Sequence, residues 1–148
     1  MEDSLANIVY VRSGEYRTCK SPDVLSAPFN TFDYIIGAID GPGNCAYLAN
    51  MPLVGQNAQG YLALLRRLFD DLRCVEDQGQ IRLFQAGSVR TENPKKIGQK
   101  ADAFFLSVAI QHHVTNFGYP VKTISLPPDY KGTLNVFPST GKITLSFS

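Results

Sequence analysis

The stretch FDYIIGAIDGPGNCAYLANMP, Phe32 to Pro52, decides the fold of this 148-residue chain. Asp33 to Ile39 is short, mostly apolar and β-branched in part. Asn44 to Met51 is a second mixed apolar run, stopped by Pro52. Between them, Asp40-Gly41-Pro42-Gly43 is concentrated turn chemistry, because glycine tolerates positive φ while proline presets φ and removes a donor. Two neighbouring strands joined by a tight loop are expected, and Cys45 opens the second of them.

Toward the amino terminus, Ile8 to Val11 is a short apolar run closed by Ser13-Gly14, and Glu15 to Lys20 alternates like the returning strand of a hairpin. Ser21-Pro22-Asp23 is a turn. Val24 to Asn30 reads as irregular, since Pro28 argues against a central strand.

Toward the carboxyl terminus, Gly55 to Val75 reads as a helix with Asn57 as N-cap. Its core stripe, spaced by three and four, is Tyr61, Leu64, Leu65, Leu68, Phe69 and Leu72. Asp77-Gln78-Gly79 ends it. Gln80 to Phe84 reads as a strand running into Gln85-Ala86-Gly87-Ser88, either a close-approach site or a simple turn. Val89 to Gly98 reads as a loop. Gln99 to Phe117 reads as a second helix with a stripe of Ala103, Leu106, Ile110 and Val114, widened by Phe104, Phe105, Val108 and Ala109 and stopped by Gly118. Val121 to Leu126, Leu134 to Phe137 and Ile143 to Phe147 read as strands, the last two joined at Ser139-Thr140-Gly141-Lys142. This order predicts one α+β domain, with two helices packed on a largely antiparallel sheet system.

A net charge of +1 supplies no electrostatic argument for nucleic acid. Arg66, Arg67 and Arg73, and Lys95, Lys96 and Lys100, read as solvated surface. Cys19, Cys45 and Cys74 are odd in number and lack metal spacing, so neither a disulfide framework nor a zinc site is expected, and no cofactor is implied. No stretch approaches a membrane span and MEDSLANIVYV is unlike a signal peptide, so a cytoplasmic protein without membrane insertion is expected. Gly41-Pro42-Gly43 lacks the later residues of a phosphate loop. Cys45 is the one candidate nucleophile, and His112 and His113, about 100° apart on a helix, are its candidate bases. The alternative is that Cys45 is a small buried hydrophobe and the histidines interact with a helix C-terminus.

The second half resembles the chemoreceptor glutamine deamidase (CheD) family. The resemblance rests on Arg82-Leu83-Phe84-Gln85-Ala86-Gly87, on Ile97-Gly98-Gln99-Lys100 opening the long helix, on Pro120-Val121, and on Phe137-Pro138-Ser139-Thr140-Gly141-Lys142-Ile143 before the closing strand. The first half agrees in layout only. The resemblance implies a layered α/β/β arrangement, shared with the cytotoxic necrotizing factor toxins. It also implies hydrolysis of glutamine side-chain amides on chemoreceptor helices by a cysteine, a histidine and a supporting threonine. Setting Asp40 and Pro52 against the family's Asp and Pro puts Asp33 at the cysteine position, Leu48 at the histidine position and Ala27 at the threonine position. An aspartate is a poor substitute for a thiolate on an amide, and leucine cannot transfer a proton.

The favoured reading is therefore a catalytically degenerate binding module. Its partner would be a protein, a chemoreceptor or a CheC-type phosphatase, and a filled or apolar pocket is expected around Asp33 and Leu48. The alternative is an active protein-glutamine deamidase, with Cys45 exposed in a cleft within reach of His112 or His113. A third reading is the same fold with no tie to chemotaxis.

Overall fold

The computed structural model describes residues 6–30, 32–54, 60–87, 97–127 and 129–147, and within the long helix the side chains from residue 105 onward. The expected N-cap Asn57, and most of the loop expected over 89–98, lie outside the described residues. The strands are β1 (Ile8–Tyr10), β2 (Glu15–Lys20), β3 (Val24–Asn30), β4 (Asp33–Asp40), β5 (Cys45–Pro52), β6 (Ile81–Ala86), β7 (Val121–Ile124), β8 (Lys131–Phe137) and β9 (Lys142–Phe147). The helices are α1 (Tyr61–Arg73) and α2 (Ile97–Asn116).

Two sheets form, one in the order β1-β3-β8-β9 and one in the order β2-β5-β4-β6-β7. Pairing is mostly antiparallel; β1 with β3 and β6 with β7 are the parallel pairs. One apolar core lies between the helices and the five-stranded sheet, and a second lies between the two sheets. The fold is thus α+β in three layers, α/β/β, as expected.

The central strand β4 explains its own composition. All eight of its residues are buried. Tyr34, Ile36 and Ala38 pack under the helices, while Ile35 and Ile39 face the second sheet. A strand covered on both faces needs an unbroken apolar run, and Asp33 and Asp40 stand only at its ends. The β4–β5 hairpin forms as expected, in register from Asp33↔Pro52 to Asp40↔Cys45. Its turn is held by the Asp40 carboxylate, which accepts from the Gly43 N–H at 3.3 Å, while Asn44 takes φ 53°.

The structure corrects several local expectations. Glu15–Lys20 does not return along Ile8–Val11; β2 pairs with β5, and β1 runs parallel to β3. The reason is that β2 must bury residues on both faces, Tyr16 under the helices and Cys19 between the sheets, and only an edge of the five-stranded sheet offers both. Val24–Asn30 is not irregular but an interior strand. Ser26 accepts at its carbonyl from Val11 N–H and Pro28 accepts from the Asn50 amide. These two residues therefore turn their backbone polar groups away from β8, so the missing N–H of Pro28 removes no bond from the β3–β8 ladder. Gln85 and Ala86 continue β6 rather than forming a turn, while β7 stops at Ile124.

The first helix begins at Tyr61, later than expected, and all six stripe residues are buried. It ends where the Gln78 side-chain amide donates to the carbonyls of Leu72 and Val75, at 2.7 and 2.6 Å. Such bonds satisfy carbonyls that a helix end leaves open. On α2, Ile110 and Val114 are buried, but Phe105 and Val108 are 72% and 48% exposed, not core. An apolar stripe wider than the helix's contact with the core leaves its flanks in solvent. Phe69 of α1 stacks on Phe117, just past α2, with ring centroids 3.9 Å apart. Among the described residues no helix is long and apolar enough to cross a membrane.

Candidate functional site

Cys45 begins β5, directly after the hairpin turn, and is half-buried. Its thiol donates to the Gly43 carbonyl at 3.2 Å. It lines a cleft with Thr18, Lys20, Tyr47 and Asp71, near the C-terminal end of α1. Cys19, on the neighbouring strand, points to the opposite face of the sheet and enters the core between the sheets. Burial pushes its thiol up to about 11.

His113 is half-buried and His112 exposed. The His113 ring lies 5.9 Å from that of Tyr61, at the first residue of α1. It lines a separate cleft between the helices, with Leu62, Leu65, Arg66 and Phe117. Tyr61 and Asp71 are ten residues apart on α1, about 15 Å along its axis. Cys45 and His113 therefore line different clefts, the His113 ring beside the first residue of α1 and Cys45 beside Asp71 in its last turn.

The three positions assigned by the resemblance are differently placed. Ala27 and Leu48 are fully buried in the apolar core between the sheets. They offer no surface to a partner. Leu48 stands opposite Gly37, four residues along β4 from Asp33, or about 13 Å. Asp33 is buried at the start of β4, where its carboxylate accepts from Ser13 Oγ at 3.1 Å and from the Asn30 N–H at 3.0 Å. Burial raises its pKa above the ordinary aspartate value, and these two hydrogen bonds oppose the rise.

Two further polar constellations are assembled by the fold, the second from carboxylates of the pairs Asp70-Asp71 and Glu76-Asp77 that the sequence reads as solvated. Tyr34 Oη donates to Gln85 Oε1 at 2.6 Å, and Gln85 Nε2 donates to Thr123 Oγ1 at 2.9 Å. This row runs across β4, β6 and β7 under the helix layer, and burial pushes Tyr34 up to about 12. Its one sequence signal is a glutamine inside the apolar run Leu83-Phe84-Gln85-Ala86. Gly87 (φ 146°) lies so close that a Cβ there would stand 2.9 Å from the Tyr34 ring and 3.0 Å from the Asp33 carbonyl. Of the two readings given for Gln85–Ser88, Gly87 thus fits close backbone approach.

The second constellation is a cleft of about 350 Å³ lined by Asp40, Asp71, Glu76 and Asp77 beside Tyr47. Asp71 there accepts from Tyr16 Oη at 2.6 Å, and burial with this bond raises the Tyr16 pKa far above its ordinary value. Among the described residues no three His, Cys, Asp or Glu side chains are grouped to hold a metal ion. No protein-family model matches this chain, and no curated protein matches it.

Proposed function

We propose that this chain is a non-catalytic binding module on a CheD-like α/β/β framework, and that it engages a protein of the chemotaxis apparatus, a chemoreceptor or a CheC-type phosphatase. One observation carries the reading. The positions that the resemblance assigns to the histidine and threonine, Leu48 and Ala27, are filled apolar core, and Asp33 lies about 13 Å from the residue facing Leu48. No nucleophile and base meet there. Binding has better support, since Phe105 and Val108, three residues apart on α2, place exposed apolar surface side by side. The alternative deamidase would need Cys45 and a histidine in one cleft, whereas Cys45 and His113 line separate ones.

The test is ammonia release from a glutamine-bearing receptor helix, with wild type beside Cys45→Ala, together with direct binding to the receptor helix and to the phosphatase. The expected result is binding without ammonia. Release that disappears in Cys45→Ala would overturn the reading in favour of an enzyme. Absence of both release and binding would remove the tie to chemotaxis.

A further inference from the structure

Three of the segments that carry the resemblance, far apart in sequence, meet at one edge of the structure. Arg82 to Phe84 of β6, Pro120 to Lys122 at β7, and Gly141 and Ile143 at the β8–β9 turn line one cavity of about 380 Å³. That volume falls within the range of small-molecule sites. Strand alternation sets what faces it. Phe84 and Ala86 enter the core between the sheets, so Arg82 projects on the same side of β6. Lys122 is in register with Phe84 and shares a side of β7 with Ile124, which packs on that same core. Strand spacing and rise put the Arg82 and Lys122 Cα atoms about 8 Å apart.

The opposite wall is shaped to the guanidinium. Gly141 lies in the turn at φ 72°, and a Cβ there would run into the Arg82 guanidinium. Glycine therefore serves both the backbone conformation and the seat of the arginine. Ile39, Phe84 and Ile143 supply apolar lining. No acidic residue lines this cavity, and neither Arg82 nor Lys122 has an ion-pair partner among the described residues. The acids gather instead in the cleft of Asp40, Asp71, Glu76 and Asp77. Two unpaired cations over an apolar lining are complementary to an anion carrying hydrocarbon, because arginine grips a carboxylate with paired donors while the lining desolvates the remainder.

We propose that this cavity is a binding site for a small apolar carboxylate. Its carboxylate lies between Arg82 and Lys122, and its hydrocarbon lies on Ile39, Phe84 and Ile143. The site is independent of the chemotaxis reading.

The experiment is an amide NMR titration of the full chain with three probes: octanoate, octanol and inorganic phosphate. Octanoate is expected to shift the amides of Arg82, Lys122 and Gly141 saturably, and to bind at least tenfold more tightly than either other probe. Arg82→Gln with Lys122→Gln is expected to weaken octanoate at least tenfold, whereas Lys131→Gln with Lys142→Gln leaves it unchanged. Octanol binding as tightly as octanoate would overturn the role of the cations. Phosphate binding as tightly would reduce the site to a plain anion site and overturn the apolar part. Absence of shifts at these amides would overturn the site altogether. The three probes decide the matter on the unaltered chain, even if the double variant were not to fold.

Discussion

The side-chain amide of Asn50 on β5 donates a 3.0 Å hydrogen bond to the carbonyl of Pro28 on β3. The same nitrogen donates to the Val11 carbonyl, also at 3.0 Å. Asn50 is fully buried, so a single amide ties one sheet to a strand of the other and to the chain entering β2. Its removal would strand two carbonyls. Each unsatisfied buried acceptor costs about 1–3 kcal/mol. Asn50→Ala is therefore expected to lower the unfolding free energy by about 3 kcal/mol in urea melts. Asn50→Asp should cost more, since a carboxylate would face those carbonyls without a donor. A loss under about 1 kcal/mol would show the tie to be dispensable.

Asp33 makes stability depend on pH in an unusual direction. Its folded pKa is raised above the ordinary 3.8, chiefly by burial. The native state thus holds this proton more tightly than the unfolded chain does. The stabilisation is fully present below the unfolded value and is lost as pH rises through the folded value. Asp33→Asn does not titrate, so its stability relative to wild type should increase from pH 3.5 to pH 7 in denaturant melts. An advantage that shrank over that range would show the hydrogen bonds from Ser13 and Asn30 to outweigh burial.

Gly37 sits at the centre of β4, opposite Leu48 on one side and Phe84 on the other. A Cβ there would run into the Phe84 ring and stand 2.8 Å from the Tyr47 carbonyl oxygen. Gly37→Ala is expected to cost about 1–3 kcal/mol through overpacking. Phe84→Leu in the same chain should recover part of that loss, which a double-mutant cycle of unfolding free energies would register. Additive losses would mean that the ring is not what Gly37 accommodates.

The three cysteines differ in access. Cys74 is exposed, Cys45 half-buried and Cys19 buried, with its thiol pushed up to about 11. A thiol-reactive dye at neutral pH should label Cys74 and Cys45 in the native protein and reach Cys19 only on unfolding. Native labelling of the Cys45→Ala, Cys74→Ala double variant would contradict the packing of β2.

Much of the framework was legible in the chain because local rules and tertiary burial agree there. The Asp40–Gly43 turn, the buried run of β4 and the stripe of α1 all appear as expected. Misreadings fell where a single residue was judged without its neighbours. Pro28 looked incompatible with an interior strand, yet its missing N–H points away from the β8 ladder. Phe105 and Val108 looked like core, yet α2 buries only one side.

The candidate site followed the same division. Composition and order were enough to settle an α+β chain with two helices and a hairpin at its centre. Only the tertiary structure decided that Cys45 and His113 lie in separate clefts, that Leu48 and Ala27 are core, and that Arg82, Lys122 and Gly141 share one cavity. The physical reason is that periodicity and turn chemistry act over a few residues. Which face meets which depends on strand register between segments as much as 111 residues apart, as from Leu25 to Val136, and no local pattern encodes that pairing.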